Sequence, residues 1–331
     1  MIIDVHAHYI PASFIDVGTI NPETQTYTIQ VTRPGSGEVL YSSESVPRGY
    51  DAEQIFSIDR RLRDMREQRV DMHVLSVPPF AFFYHMEAAR SVAICRLVNE
   101  AFAQTVASDP VHFIGNATLP MQAPEDAARE LERAVQELEL RGVEIGTNID
   151  GMNLDDKSLA PFYAKVQELD VPVFIHSVSV LGAERLGSYH LGNLIGNPTE
   201  DALAAASLIF GGVLKEFPRL RFYIAHGGGS CPFLRGRWEH GWRVRPEAKL
   251  HIQRPPSQYF SKLMFDTLTH HGPALNYLVE TVGPQRVMLG TDYPFDMSDT
   301  DPLKAVASLP HASDSQKEMI CGGNAAALFK L

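Results

Sequence analysis

Short apolar runs and longer amphipathic segments alternate along most of the chain. Apolar runs of strand length between helical segments are typical of buried parallel strands. The runs occupy residues 1–8, 72–77, 113–118, 143–148, 171–176, 220–226, 263–266 and 286–292. Helical spacing of apolar residues predicts helices at residues 51–69, 87–107, 124–140, 159–168, 199–217, from about 230, 272–282 and 313–329.

The alternation of strand and helix is interrupted once, after the first predicted strand. Residues 27–33 and 38–42 alternate in the strand manner on either side of a turn-forming Pro-Gly-Ser-Gly stretch, which predicts a β-hairpin. Eight strands separated by helices, with no low-complexity linker, are the pattern of an α/β protein with a (β/α)8 TIM barrel. We therefore predict one domain over residues 1–331, with a hairpin inserted at about residues 20–47.

The composition and charge of the chain limit which partners and which cellular compartment are expected. The chain has 331 residues, 44% of them hydrophobic, and a formal net charge of −11, which argues against nucleic acid or an anionic membrane as partner. No apolar stretch approaches the roughly 20 residues that a membrane-spanning helix needs. The N-terminus carries no signal-peptide pattern, and the three cysteines give no disulfide framework. These features favour a cytoplasmic protein.

Histidine and aspartate side chains mark the ends of four predicted strands. His6 and His8 are two residues apart, so both imidazoles project from the same face of the first strand. His176, His226 and Asp292 end three later strands. Because the carboxyl ends of barrel strands meet at one mouth, these five side chains are expected to converge there. Imidazoles and a carboxylate are the ligands of a divalent metal such as zinc.

The same residues resemble the amidohydrolase superfamily. The His-x-His of the first strand, His176, His226 in Ala-His-Gly-Gly-Gly and Asp292 in Gly-Thr-Asp-Tyr-Pro-Phe are similar to its motifs. They look most like the branch of aminocarboxymuconate semialdehyde decarboxylase, γ-resorcylate decarboxylase and related hydratases. The resemblance implies that His6, His8, His176 and Asp292 bind one zinc ion, with manganese as an alternative and no organic cofactor.

His226 and Asp292 are the predicted catalytic residues. By the resemblance, His226 stands beside the metal as the proton-transfer group, and a histidine has the pKa range for that role. The three glycines after it would let a substrate approach closely. The alternative is that His226 is a fourth imidazole ligand. Residues 143–148 contain no lysine, which binuclear relatives carbamylate to bridge a second metal, so one metal is favoured.

Arginine is suited to binding a carboxylic acid because its guanidinium matches the carboxylate fork. Arg48 and Arg237 match substrate-binding arginines of the semialdehyde decarboxylase, the second of which reaches into the neighbouring subunit's site. The resemblance thus implies a homodimer. The alternative for each is a surface arginine in a weak ion pair. The aromatic residues Phe80, Phe82, Phe83 and Tyr84 could wall the substrate pocket or serve as ordinary core or dimer packing.

These observations predict a zinc-dependent, non-oxidative decarboxylase of an unsaturated or aromatic carboxylic acid. A metal-dependent hydrolase or hydratase, acting on an amide, lactone or unsaturated acid, would share the same motifs. A third possibility is a zinc-binding protein without catalytic activity. Release of carbon dioxide separates the first function from the second, and turnover of any acid separates both from the third.

Overall fold

The structure is a computed structural model of the 331-residue chain, and it describes residues 1–11, 15–17, 27–33, 35–45 and 52–331. The strands are β1 Ile3–His8, β2 Ile15–Val17, β3 Tyr27–Thr32, β4 Val39–Ser45, β5 Met72–Ser76, β6 Phe113–Ala117, β7 Gly142–Gly146, β8 Asn148–Ile149, β9 Met152–Asn153, β10 Pro172–His176, β11 Arg221–Ile224, β12 Leu263–Asp266 and β13 Val287–Met288. Eight of them form one parallel sheet in the order β1-β5-β6-β7-β10-β11-β12-β13.

The two edges of this sheet approach each other closely enough to exchange hydrogen bonds. The Asp292 backbone N–H donates to His6 O at 2.8 Å, and the His8 N–H donates to Tyr293 O at 2.6 Å. Ala7 and Tyr293 form a parallel bridge. The sheet is therefore a nearly closed (β/α)8 barrel, as the sequence predicts.

Helices connect the barrel strands. Their bounds are α1 Ala52–Phe56, α2 Ile58–Gln68, α3 Ala88–Ser108, α4 Pro124–Gln136, α5 Ala160–Leu169, α6 Asn197–Phe210, α7 Val213–Glu216, α8 Cys231–Val244, α9 Pro256–Phe260, α10 Gly272–Val282, α11 Pro302–Ala307, α12 Asp314–Glu318 and α13 Asn324–Phe329. None of the helices in the described ranges has the length and apolar composition needed to cross a membrane.

Three predicted helices are interrupted, and the one predicted over residues 124–140 ends earlier, at Gln136. The first is split before Ile58, because the Ser57 side chain caps a new helix by accepting a hydrogen bond from the Arg60 N–H. The predicted helix over residues 199–217 is broken at Gly212, whose φ of 86° belongs to the left-handed region. The last helix is interrupted by a π-helical turn at Met319–Gly323.

The predicted hairpin is present as β3 and β4, which pair antiparallel. The sequence did not predict β2, which adds a third strand beside β3. Pro34 in the hairpin turn lies outside the described residues. That the whole chain folds as one domain around this insertion stays a prediction.

A layer of aromatic side chains lies beneath the end of β1 that carries the histidines. The rings of Phe174 and Tyr223 are stacked with centroids 4.6 Å apart, and the Phe174 ring meets the His6 ring edge-on at 5.0 Å. Edge-on and offset-stacked contacts are the favourable geometries for such rings. Phe174 and Tyr223 are both buried, so they form a rigid support for the imidazole of His6.

Candidate metal and proton-transfer site

The five predicted side chains converge at one end of the barrel. The Nε2 atoms of His6 and His8 lie 3.1 and 3.0 Å from Asp292 Oδ1. The Nε2 atom of His176 lies 3.9 Å from the same oxygen, and that of His226 lies 3.9 Å from Asp292 Oδ2. The parallel strands account for this convergence, because they bring distant parts of the sequence to a common mouth.

Each of the four imidazoles is held by its other ring nitrogen. The Nδ1 atoms of His6 and His226 bond to the buried carboxylates of Asp266 and Asp201 at 2.7 and 2.9 Å. The Nδ1 atom of His8 bonds to Val77 O at 2.9 Å, and that of His176 bonds to Ser177 O at 3.0 Å. Because an oxygen acceptor at Nδ1 favours the proton there, the Nε2 lone pair of each ring points to the shared centre.

The donors at this centre fit a metal ion better than they fit one another. His176 Nε2 and Asp292 Oδ1 are buried without a hydrogen-bond partner among the described residues. His6 Nε2 and His8 Nε2 lie 3.2 Å apart, although both have an oxygen at Nδ1 to hold the ring proton. Buried lone pairs that face one another are costly unless a cation lies between them. The arrangement suits one divalent metal.

Two four-residue sets are candidate ligands at this centre. His6, His176, His226 and Asp292 each offer an atom within 4.8 Å of the others. The set predicted from the sequence has His8 in place of His226, and His8 Nε2 is in fact closer to Asp292 than His226 Nε2 is. Which histidine binds the metal and which moves a proton stays a prediction.

Charge favours a cation at the centre. Burial lowers the pKa of His176 to about 3 and also lowers the pKa of His8, so both rings are neutral at ordinary pH. Burial alone would raise the pKa of Asp292, but the surrounding imidazoles, His6 first, hold it well below its usual value. Asp292 is therefore an anion beside two neutral imidazoles, and its charge and that of Asp266 outweigh burial and raise the pKa of His6 well above its usual value. The negative charge of these carboxylates favours a cation at the centre.

His226 differs from the other histidines in its backbone and in its partner. It lies in a short 3-10 turn after β11, rather than on the strand, with a left-handed φ of 54°. Burial would lower its pKa, but the carboxylates of Asp201 and Asp292 outweigh burial and raise it. Asp292 also has a left-handed φ, of 64°. Left-handed non-glycine residues concentrate at functional sites, where packing holds them in place.

The glycines after His226 have a structural role beyond the one expected from the sequence. A Cβ on Gly229 would lie 2.1 Å from Pro198 O, so only glycine lets the first turn of α6 pack here. Ser230 N–H donates to the same carbonyl at 3.0 Å. Gly227 and Gly229 do line the mouth, as the prediction of close approach requires.

Sequence reasoning missed two carboxylates at the site. Asp266 ends β12 and accepts hydrogen bonds from the backbone N–H groups of His226 and Gly227 at 3.1 and 2.7 Å, besides binding the His6 ring. The strand-end rule that identified the histidines could have found it. Asp201 lies inside α6, where no strand-end signal exists. Asp4, beneath the site, is also buried and accepts a hydrogen bond from the Thr291 hydroxyl at 2.5 Å.

Two adjacent cavities open above the centre, and Asp292, Asn193, Asn197 and Met297 line both. The cavity beside His226 has a volume of about 420 Å³, and the cavity beside His176 about 830 Å³. Phe80 lines the larger cavity, whereas residues 82–84 are buried in the core. Among the described lining residues there is no arginine or lysine.

The two predicted substrate-binding arginines are not placed in these cavities. Arg48 lies outside the described residues. Arg237 is exposed on α8 and lines neither cavity of its own chain. Their predicted contacts with substrate, and the reach of Arg237 into a neighbouring subunit, stay predictions.

A comparison with known protein families identifies the family of this chain. A family model described as "Amidohydrolase" matches residues 3–331. This chain belongs to the amidohydrolase family. The chain is 40% identical over 269 residues to 2-amino-3-carboxymuconate-6-semialdehyde decarboxylase of Dictyostelium discoideum, which covers 81% of this chain and 75% of that protein. It is 32% identical to γ-resorcylate decarboxylase of Rhodococcus jostii, covering 82% of this chain and 87% of the relative.

A solved structure agrees in fold over the whole length. Dihydroxybenzoic acid decarboxylase from a Polaromonas species, with bound manganese and the inhibitor 2-nitroresorcinol, superposes with a TM-score of 0.80 and 26% identity. The match covers 100% of this chain and 97% of that one. The predicted membership of the decarboxylase branch is thus confirmed, and the relatives support an enzyme of the carboxy-lyase kind.

Proposed function

We propose that this amidohydrolase is a metal-dependent, non-oxidative decarboxylase of an aromatic or unsaturated carboxylic acid. One observation carries the proposal. His226, held by Asp201 at Nδ1, turns Nε2 toward the same point as Asp292 and the other three imidazoles, at the base of two cavities of ligand size. A proton carrier thus lies beside a cation site that an acid can reach.

The proposed metal ligands are His6, His8, His176 and Asp292. Three nitrogens and one carboxylate oxygen form a donor set that zinc prefers, and manganese accepts the same carboxylate. A bound divalent ion supplies positive charge that holds an acid and stabilises negative charge developing in the reaction. Asp266 supports this set by fixing the ring plane of His6 through Nδ1.

The proton transfer belongs to His226. In decarboxylation the bond between the carboxylate and its carbon breaks, carbon dioxide leaves, and the electron pair stays on a carbon that an adjoining ring or enal stabilises. His226 then gives the proton on Nε2 to that carbon, so a hydrogen replaces the lost carboxylate. Asp201 and Asp292, which raise the pKa of His226, keep the ring able to carry this proton near neutral pH.

The acid itself needs positive charge beyond the metal. Since the described lining of the cavities has no arginine or lysine, we propose that Arg48 and the Arg237 of a second copy supply it. This proposal makes the enzyme a homodimer. Arg237 supports it by lying exposed on α8, free of the cavities of its own chain. A cytoplasmic location is also proposed, on the sequence features given above.

The deciding experiment separates decarboxylation from hydrolysis and hydration. Metal-loaded protein is incubated with a panel of hydroxybenzoates and muconate semialdehydes, and both carbon dioxide and the organic products are measured. We expect carbon dioxide and an organic product that has one carboxylate group fewer than the substrate. Products that gain water without losing carbon dioxide would show a hydratase or hydrolase instead. No conversion of any acid, with intact metal binding, would favour a non-catalytic zinc protein.

A further inference from the structure

The wall shared by the two cavities carries two asparagines. Asn193 and Asn197 line both cavities together with Asp292, and both side chains are partly exposed. Neither side-chain amide has a hydrogen-bond partner within the described part of the chain. Two neutral amides thus face the space above the candidate metal site with free donors and acceptors.

The backbone at these asparagines is irregular. Asn193 lies in a π-helical turn, Gly192–Gly196, and the Asn197 N–H donates to Gly192 O five residues earlier. Gly196 lies against Val180, where a Cβ would come within 2.7 Å of the valine side chain. The wide turn is therefore packed firmly against the loop that follows β10. Single π-turns within helices are rare and are frequently found at functional sites.

Helix α6 connects the asparagines rigidly to the proton-transfer histidine. Asn197 begins α6, and Asp201, four residues later on the same helix, binds His226 Nδ1 at 2.9 Å. Side chains four residues apart share one face of a helix. Pro198, next to Asn197, accepts a hydrogen bond from the Ser230 N–H. The position of the Asn197 backbone relative to His226 is thus set by packed elements.

We propose that Asn193 and Asn197 determine substrate specificity by hydrogen-bonding an oxygen substituent of the acid, away from the carboxylate that is lost. This inference rests on the proposed decarboxylase function. The amides carry no charge, so they select a substrate by oxygen position rather than by attraction of the acid. The preferred substrate class is therefore an acid that bears a hydroxyl, carbonyl or second carboxylate oxygen on its carbon skeleton.

Binding measurements on the zinc-loaded enzyme test this inference without turnover. Calorimetry compares benzoate with 2-hydroxybenzoate, 2,6-dihydroxybenzoate and benzene-1,3-dicarboxylate. Wild type should bind at least one oxygen-substituted acid more tightly than benzoate. Asn193→Ala and Asn197→Ala should each reduce that preference about threefold to tenfold, the range of one hydrogen bond, while benzoate affinity stays. Asn153→Ala, which removes an exposed amide on β9 outside both cavities, is the matched control.

The outcomes distinguish this inference from the function on which it rests. If the asparagine variants lose the preference for the dicarboxylate alone, the amides bind a second carboxylate. If they lose the preference for the hydroxybenzoates, the amides bind hydroxyl groups. If both variants keep the wild-type preference, or if wild type shows none, the amide pair has no such role. Carbon dioxide release by wild type is assayed separately, so a failed decarboxylase and a failed amide pair give different results.

Discussion

Asp201 Oδ2 lies 2.9 Å from His226 Nδ1, and the Asp201 side chain is completely buried. The hydrogen bond fixes which ring nitrogen of His226 faces the cavity. Burial raises the pKa of Asp201 to about 6, although His226 opposes that rise. A buried carboxylate behind a catalytic imidazole orients the ring and supports its positive charge. Asp201 is therefore a positioning residue for the proposed proton transfer.

Asp201→Asn should lower kcat by about 10-fold to 100-fold with little change in KM, a part of what general acid catalysis contributes. The pH profile should change too. Because the Asp201 carboxylate raises the pKa of His226, its removal lowers that pKa. If protonated His226 is the active form, activity falls as pH rises through this pKa, so the falling limb should move to lower pH. The measurement is kcat from pH 5 to 9.

The matched control is Asp156→Asn, at an exposed carboxylate that caps a short helix and lines neither cavity. It should leave both kcat and the pH profile unchanged. A merely structural role for Asp201 predicts lower stability with an unshifted profile. That result would contradict the proton-transfer assignment.

The zinc content of two variants distinguishes the proposed roles of His8 and His226. We expect His8→Ala to lower zinc affinity at least 10-fold, because it removes a proposed ligand, and to abolish activity. His226→Ala should keep about one zinc per chain while losing about 100-fold to 10,000-fold in kcat. Metal analysis after dialysis, beside carbon dioxide release, measures both. Zinc lost from His226→Ala and kept by His8→Ala would make His226 the ligand.

The sequence predicted the barrel and the convergence of the candidate metal ligands because both follow from local patterns. Strand-length apolar runs identify the parallel strands, and residues at their carboxyl ends must meet. His6, His8, His176 and Asp292 are all found this way. His226 was assigned to a strand end, but the structure places it in a left-handed turn just beyond the strand. The strand pattern predicted that His226 lies at the mouth of the barrel, but it did not predict the backbone conformation of this residue.

The helix face at the mouth could not be predicted in the same way. Asn193, Asn197 and Asp201 follow one another at intervals of four residues, a helical pattern that by itself also describes a solvated face. Which face of α6 meets the mouth depends on how the helix packs. Here the contact between Gly229 and Pro198 sets that packing, and it joins parts of the chain that are far apart in sequence. Periodicity alone carries no information on such a contact.

Metal removal should lower stability as well as activity. A metal that binds only the folded chain adds about 2.7 kcal/mol when its free concentration is 100 times Kd. Dialysis against a chelator should therefore lower the melting temperature by several degrees and abolish carbon dioxide release. Zn²⁺ or Mn²⁺ should restore both. Mg²⁺ is the control, because it prefers oxygen ligands and should restore little. Full activity in metal-free protein would contradict a metal-dependent reaction.

Glu144 offers a test of the barrel interior beneath the site. It pairs in register with Phe174, whose ring contacts His6, and its side chain is buried. Neither carboxyl oxygen has a hydrogen-bond partner of normal geometry in the described part of the chain. Burial raises its pKa well above the usual value, with Asp292 adding to the rise and His6 opposing it. Glu144 is thus protonated in the folded protein at pH values where the unfolded chain is ionised.

The sign of the pH dependence follows from this difference. Between the unfolded pKa, about 4.3, and the raised folded pKa, the folded state binds the extra proton, so wild-type stability falls as pH rises by at most about 1.4 kcal/mol per pH unit. Glu144→Gln keeps the shape and removes the titration. We expect the variant to gain stability relative to wild type from pH 5 to pH 8, measured by urea unfolding. Glu67→Gln, at an exposed carboxyl on α2, is the matched control. A constant difference between Glu144→Gln and wild type across this range would mean that Glu144 is ionised in the fold.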